Sequence, residues 1–436
     1  MPASTGHRCR RTCPPCVLAE FAAVRERDAR DFPRVLAAEG ISNFGSMLSR
    51  LAIPWLAALL LQATPLQMAA LLVADVVAAA LGSLLLGSLI DRAGKRAVML
   101  WADALRGLVL AALALAAWRG WIGLPLLVAG AAASGLLTVA FELARSAWVA
   151  HSVEAPGLPR RNAQLVAVGS LSEAAAFALG GWLYQWLGAA LALAVDALSY
   201  AASALALRGV REVPAPPRAS ATGPRGRELI DDVGAGLRAI TAHPSLRALV
   251  VVEVLLAFSM SLSGTSYMIY VSRDLALPTG VLGMIFAVGG LGSVIGAVLA
   301  PRLGLRLGPG RAMSVGLASL AVGAMCTPLA VSAGWAAVAL LVAHQVIGDG
   351  GRTVHDVHDR SLRQTAVAAP LLARVDAGIR SAGQCATLSG AAVGGLLGDA
   401  LGARSVLVLA AATLAMAAVF AAFVLARRIG PVTSRA

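Results

Sequence analysis

The chain has 436 residues, of which 58% are hydrophobic and 14% are charged, with a mean hydropathy of +0.77. A soluble fold is excluded, because soluble domains carry fewer apolar and more charged residues. The net charge of +13 would suggest nucleic-acid binding in a soluble protein. Here the basic residues form no basic domain and no aromatic platform accompanies them, so we expect no nucleic-acid partner.

Apolar stretches long enough to cross a bilayer recur along nearly the whole chain. A helix rising about 1.5 Å per residue needs about 20 residues to cross roughly 30 Å of hydrocarbon. The alternating pattern of outer-membrane β-strands is absent. We therefore predict an all-α integral membrane fold with twelve transmembrane helices, at residues 35–61, 66–90, 97–118, 122–145, 162–187, 189–207, 247–271, 278–300, 311–331, 334–358, 377–399 and 404–427.

Residues 1–31, before the first span, are predicted to be a cytoplasmic tail. Cys9, Cys13 and Cys16 have a C-x3-C-x2-C spacing that holds iron–sulfur clusters in radical enzymes. Such enzymes build the cluster into a soluble barrel, for which this chain has no room. We favour a plain tail or an over-extended start, and we expect no cofactor.

Two opposite charges lie far from the inner ends of spans one and two. Arg50 is about 15 residues above the inner end of span one, and Asp75 is 16 residues from Asp91 on span two. Both therefore lie roughly 22–24 Å from the inner ends of their spans. Either they form an ion pair, or each lines a wet cavity separately.

The loop between spans two and three carries a motif, Gly87-Ser-Leu-Ile-Asp91-Arg92-Ala-Gly94-Lys95-Arg96. It resembles the signature loop of the major facilitator superfamily, in outline G-x-L-x-D-R-x-G-R-K. Short segments resemble the branch that contains macrolide and enterobactin exporters, namely Ala102-Asp103-Ala-Leu-Arg106, Ser361-Leu-Arg-Gln364 and Arg374-Val-Asp376. The resemblance covers about residues 32–428 and implies proton-coupled export by rocking of two halves.

The resemblance also implies a gating role for Asp91. In the family such an aspartate docks on a neighbouring helix N-terminus, where the helix dipole favours an anion, and locks the outward-facing state. The expected partners here are the start of span eleven near Asp376 and Arg145 at the end of span four. Alternatively the loop only sets topology. The matching loop, 300–308, lacks the aspartate, so any lock is one-sided.

Span five departs from the family's antiporter signature, which ends in G-P-x-x-G-G. Only the last pair, Gly180 and Gly181, is present, and span eleven has Gly394 and Gly395. Small residues still permit close helix approach. Because the proline is missing, the motif supports the prediction of transport more strongly than the prediction of antiport.

The sequence matches itself at a shift of 214 residues, which predicts duplication of a six-helix unit. The predicted halves are residues 32–207 and 247–428, joined by a linker at 208–246 and followed by a tail at 429–436. The matched pairs are Glu39 and Glu253, Phe44 and Phe258, Gly82 and Gly296, Gly94 and Gly308, Pro156 and Pro370, Leu158 and Leu372, Arg160 and Arg374, Gly180–Gly181 and Gly394–Gly395, and Gly188 and Gly402.

Basic residues gather in alternate loops. One side has clusters such as Arg92, Lys95 and Arg96, whereas the other offers only Arg119, Arg273 and Arg404. The positive-inside rule then places both termini in the cytoplasm. We expect a multi-pass protein of the inner (cytoplasmic) membrane.

Ionisable residues inside spans are functional candidates, because they cost several kcal/mol unless paired or facing water. A carboxyl group in a poorly solvated pocket can gain and lose a proton near neutral pH, as proton coupling requires. Glu39, Glu173 and Asp75 are the coupling candidates, although carboxylates that only hold helices together are an alternative. The candidates for the cavity or for ion pairs are Arg50, Asp103, Arg106, Glu142, Glu253 and His344.

Three of these candidates have structural alternatives. Asp103 and Arg106 are one turn apart and are most simply an internal pair. His344 is either a titrating group or, as we favour, a hydrogen-bonded core residue. The cluster His355, Asp356, His358 and Asp359 suggests a metal site or a solvated helix end, and we favour the solvated end with no metal.

These features together predict a secondary active transporter. Substrate, protons and the lipid bilayer are its expected partners, and we expect a monomer. The substrate class is a small amphipathic molecule, drug-like or siderophore-like. The alternative is a receptor or sensor on the same fold that transports nothing. No P-loop or catalytic triad pattern occurs, which argues against an enzyme or an ATP-driven pump.

Overall fold

A computed structural model describes residues 14–154, 157–212, 234, 238–367 and 369–428. Cys9 and Cys13 lie outside these residues, as do most of the predicted linker and the tail at 429–436. The backbone of Gly87, Asp91 and Arg92 is described as helical, but their side chains are not.

The described residues form long helices and no strands. They are α1 (Pro14–Trp55), α2 (Pro65–Arg92), α3 (Lys95–Trp118), α4 (Leu124–Ser152), α5 (Leu158–Arg208), α6 (Pro244–Ile269), α7 (Thr279–Leu307), α8 (Pro309–Leu329), α9 (Trp335–Ala366), α10 (Ala369–Leu401) and α11 (Ala403–Arg428). Helix α1 begins at Pro14, within the predicted tail, because residues 17–31 are rich in helix-forming alanine, glutamate and arginine.

Eight of the described helices are long and apolar enough to cross a membrane, namely α2 to α8 and α11. The remaining three are α1, α9 and α10. Helix α9, for example, contains Asp349 and Arg352, and both side chains line an internal cavity instead of facing outward. A search by length and apolar composition therefore misses a helix, such as α9, whose polar side chains line the interior.

Helix α5 is two helical arms joined at Gly188. This residue has φ 75° and ψ 174°, a left-handed conformation that glycine adopts without steric cost. The break falls between the predicted spans 162–187 and 189–207. The helix is therefore kinked there, with no loop between its two arms.

Irregular backbone features recur at the spacing of 214 residues. Helices α1 and α6 each continue into a π-helical turn, Leu56–Leu60 and Tyr270–Asp274. Gly188 and Gly402 both have positive φ. Gly188 precedes the second arm of α5, and Gly402 precedes α11. Two non-glycine residues with positive φ, Gln62 at 50° and Ala276 at 47°, also match.

The hydrophobic core differs between the two ends of the bundle. We call the end where residues 61–64 connect α1 to α2 the distal end, and the end where residues 93–94 connect α2 to α3 the proximal end. Near the distal end, one cluster unites residues between 51 and 407. Nearer the proximal end, separate clusters occupy residues 32–210 and 240–425. Helices α1–α5 and α6–α11 are therefore joined at the distal end and separated toward the proximal end.

Candidate substrate cavity

A cavity of about 790 Å³ lies between α1–α5 and α6–α11. Its volume falls within the range of ordinary small-molecule sites. The apolar part of its wall includes methionines and aromatic rings, such as Met47, Met68, Tyr267 and Phe286. The ionisable residues in its wall are Glu39, Arg50, Asp75, Arg106, Glu142, Asp196, His344, Asp349 and Arg352.

Glu39 on α1 forms an ion pair with Arg145 on α4. Both side chains are only partly exposed, at 16% and 20%. The sequence had suggested Arg145 as a partner of Asp91, whose side chain is outside the described part. The pair with Glu39 was not predicted, because nothing in the local sequence connects residues on two different helices.

Asp103 and Arg106 form the internal pair expected from their spacing on α3. Ser203 on α5 donates a hydrogen bond of 2.6 Å to the Asp103 carboxylate. The Arg106 guanidinium lies over two rings, 4.7 Å from the centroid of Phe141 and 4.4 Å from that of Tyr200. Stacking and ion pairing together hold Arg106 in place as a fixed wall of the cavity.

Arg50 and Asp75 line the same cavity but form no ion pair within 4.0 Å. Asp75 instead packs beside Gly135 of α4, where a Cβ atom would lie 2.8 Å from the Asp75 carbonyl oxygen. In this conformation the two charges line the wall separately, the second of the two arrangements considered above.

Several carboxylates face the cavity without a bonded partner. Among the described residues, the side chains of Asp75, Glu142 and Asp349 have no hydrogen bond or ion pair. Asp349 packs against Gly289 of α7, which leaves room for it. These three groups, from α2, α4 and α9, are available to a ligand.

Three of the residues predicted for coupling, for the cavity or for ion pairs do not line the cavity, namely Asp103, Glu173 and Glu253. Glu173 is exposed on the first arm of α5, and Glu253 lies on α6 beside Gly383 of α10. His344 does line it. The His344 Nδ1 atom lies 3.0 Å from the Gly323 carbonyl oxygen, and its ring stacks on Tyr267 with centroids 5.7 Å apart. His344 is thus a hydrogen-bonded wall residue.

The prediction that the cluster at 355–359 is a solvated helix end is wrong. His355, His358 and Asp359 are 3%, 7% and 6% exposed. Helix α9 packs closely there against glycines of α7 and α8, since Cβ atoms at Gly304 and Gly316 would meet His358 and His355. Asp359 pairs with Arg363. No group of three or more candidate metal ligands occurs among the described residues.

Hydrogen bonds anchor the described part of the signature loop to the end of α2 and to the end of α5. The Lys95 ammonium donates to the Ile90 carbonyl at 2.6 Å. The Arg96 side chain donates to the carbonyls of Leu207 and Arg208, at 3.2 and 2.7 Å. Lys95 thus lies at the C-terminal end of α2 and Arg96 at the last turn of α5. The helix dipole favours positive charge at both places.

Glu212 occupies the N-terminus of α3. Its carboxylate accepts hydrogen bonds from the backbone N–H groups of Arg96 and Ala97, at 3.1 and 3.2 Å. Gly94 lies against this carboxylate, and a Cβ atom there would come within 2.6 Å of it. Glu212 was not predicted, because it belongs to a stretch assigned to the linker.

Close helix contacts seal the distal end. Gly181 on α5 touches α7, where its Cβ would lie 2.9 Å from the Gly283 Cα. Gly395 on α10 touches α2, where its Cβ would lie 2.8 Å from the Leu66 Cα. Arg273 adds hydrogen bonds to the carbonyls of Ala58 and Ala63. The glycine pairs of spans five and eleven thus contribute to closure.

A family model described as the Major Facilitator Superfamily matches residues 35–351. The chain therefore belongs to the Major Facilitator Superfamily. It is a multi-pass membrane transporter and not an enzyme, and a small molecule is its substrate. No curated protein sequence matches it.

Solved transporter structures share the fold. A bacterial homologue of the iron transporter ferroportin in an inward-facing state has a TM-score of 0.70 and 18% identity, over 92% of this chain and 99% of that one. A bacterial metal transporter has a TM-score of 0.65 and 19% identity, over 90% and 97%. The nucleoside transporter NupG has a TM-score of 0.68 and 12% identity, over 91% and 98%. At these identities the likeness concerns the fold alone.

Proposed function

We propose that this chain is a proton-coupled secondary transporter that exports a small amphipathic molecule, drug-like or siderophore-like, by alternating access. The observation that carries the proposal is the cavity of about 790 Å³ between α1–α5 and α6–α11, sealed by close helix contacts at the distal end. Its wall combines apolar side chains with carboxylates that have no bonded partner. Such a wall suits a molecule with an apolar body and a polar group.

Two six-helix repeats are the mechanical basis of the proposal. The π-helical turns and positive-φ residues that recur at a spacing of 214 support them, together with the matched sequence pairs. Repeats of this kind, related by an axis along the membrane normal, rock against each other around a central site. With the proximal end placed in the cytoplasm by the positive-inside rule, this conformation is inward-facing.

Proton coupling would use an acid within the membrane. Glu39 lines the cavity in an ion pair, Asp75 lines it without one, and Glu173 is exposed on α5. A coupling acid must be charged in one half of the cycle and neutral in the other. All three are retained as candidates.

The test is flux through purified protein in proteoliposomes with an imposed pH gradient. The panel is a macrolide (erythromycin), a siderophore (enterobactin) and ethidium. We expect gradient-driven accumulation of at least one compound, abolished by a protonophore. Binding of a panel compound without flux would support the receptor alternative and overturn the proposal.

A further inference from the structure

The second arm of α5 carries a buried aspartate, Asp196. Asp196 lies eight residues after Gly188, so it is roughly 12 Å along the helix from the distal break. It contributes to the wall of the cavity, yet its own side chain is 0% exposed. It therefore lies within the membrane-crossing part of the helix, beside the site.

Hydroxyl groups are the bonded partners of Asp196. Ser49 on α1 donates to Oδ2. The Ser199 hydroxyl lies 3.1 Å from Oδ1 and 2.8 Å from the Asp196 carbonyl oxygen, so its single hydrogen is shared between the two acceptors. Gly45 on α1 makes room for this arrangement, because a Cβ there would lie 2.7 Å from the Ser199 Cβ and would also meet the Asp196 carboxylate. The close approach of α1 and α5 is thus built around the acid.

These partners distinguish Asp196 from two other acids near the cavity. Glu39 and Asp103 are each bonded to an arginine. A guanidinium can only donate hydrogen bonds, so protonation of its partner would remove the charge attraction and leave the new O–H without an acceptor in the pair. A hydroxyl group can donate or accept. The Asp196 network therefore stays satisfied whether the carboxyl group is charged or protonated.

Hydroxyl groups beside Asp196 offer a route for a proton. Ser46 on α1 hydrogen-bonds Tyr200 on α5 at 2.8 Å, and both line the cavity one turn from Ser49 and Asp196. The charged groups on the neighbouring helices are Arg106 and Asp103 on α3, and Glu39 and Arg50 on α1. Arg106 is bonded to Asp103 and stacked between two rings.

We propose that Asp196 is a proton-binding site of the transporter. In the inward-facing state its carboxylate takes a proton from, or gives one to, water in the cavity past Ser49. After rocking, the exchange occurs with the opposite side, so that one proton crosses for each cycle of the carboxyl group. The inference rests on the proposed proton-coupled function and adds to it a site.

The direct test is infrared spectroscopy of the purified protein in lipid nanodiscs, titrated between pH 5 and pH 9 in steps of about one unit. The readout is the carbonyl stretch of protonated carboxylic acids, taken as the difference between wild type and variant. We expect Asp196→Asn to lose a pH-dependent band that Glu39→Gln keeps. Ser49→Ala should keep the band but shift it, because one hydrogen bond is lost.

An unchanged titration in Asp196→Asn would overturn the proposal. If Asp196→Asn does not fold, Ser49→Ala decides, and an unshifted band in it would overturn the proposal as well. The test needs no substrate and is therefore separate from the flux assay. A titrating Asp196 band in a protein that moves none of erythromycin, enterobactin and ethidium would contradict transport of that panel and leave the proton site supported.

Discussion

Gln185 and Asp399, which are 214 residues apart, make the same contact on opposite sides of the distal end. Gln185 on α5 accepts a hydrogen bond from the Gly280 N–H of α7 at 2.9 Å. Asp399 on α10 accepts one from the Leu66 N–H of α2 at 3.2 Å, and a second from the Thr64 hydroxyl at 3.2 Å. Each contact joins α1–α5 to α6–α11, but only Asp399 brings a negative charge to a helix N-terminus.

This asymmetry predicts that Asp399 contributes more to distal closure than Gln185. Charge-assisted bonds and the helix dipole favour a carboxylate at the start of α2, by about 0.3–1 kcal/mol. Asp399→Ala should therefore raise the ratio of open to closed distal ends up to roughly fivefold. Gln185→Ala is the matched control and should have the smaller effect.

Electron–electron distance measurements between spin labels at exposed positions 186 and 401 check this, in a variant whose five cysteines are replaced. Equal distance distributions in Asp399→Ala and Gln185→Ala would show that the charge is irrelevant to closure.

The close contact at Gly181 gives a second prediction. Gly181→Ala adds a Cβ atom 2.9 Å from the Gly283 Cα, a distance that forces α5 and α7 apart. We expect a longer label distance between positions 186 and 401 and slower transport. Gly290→Ala on α7 is the control, because its Cβ would have no atom within 4 Å. If the two variants behave alike, the glycine contact does not set the closed state.

The Glu39–Arg145 pair gives a third prediction, concerning stability. Either Glu39→Gln or Arg145→Gln leaves a partly buried charge without its partner, at an expected cost of about 1–3 kcal/mol, between the values for exposed and fully buried pairs. The exchange Glu39→Arg with Arg145→Glu should recover more than half of the loss. Thermal unfolding in one detergent measures all four proteins. A double variant less stable than both single variants would indicate that the two residues do not stabilise the protein as a pair.

A fourth prediction concerns the signature loop. Asp91→Asn removes the anion from the one intact copy of the motif while leaving the spans unchanged, so it should impair transport far more than expression. Flux and membrane abundance measured on the same preparations separate the two effects. Wild-type flux in this variant would remove the gating role.

Local patterns in the sequence predicted the helices well, because hydropathy reports burial in lipid directly. The break at Gly188 was also predictable, from an apolar run too long for one crossing and from its match to Gly402. Charged contacts between helices were not. Glu39 and Arg145 are separated by 106 positions, and only the packing of α1 against α4 brings them together.

Burial of polar groups also escaped prediction. The stretch at 355–359 has the composition of a solvated helix end, yet glycines of α7 and α8 allow α9 to pack so closely that His355 and His358 are covered. Asp196 was visible as an ionisable residue within a span. Its serine partners could not be assigned, because serine is common on such helices and Ser49 lies on another one.

Gradient-driven flux in proteoliposomes tests the central claim most directly, with wild type beside Glu39→Gln, Glu173→Gln and Asp75→Asn. We expect wild-type protein to accumulate a panel compound against its gradient when a pH gradient is imposed. The glutamine or asparagine variant at the coupling acid should lose this uphill flux but keep downhill exchange, since the amide preserves shape and cannot titrate. Accumulation that persists undiminished in all three variants would remove them as coupling acids, and accumulation that ignores a protonophore would contradict proton coupling itself.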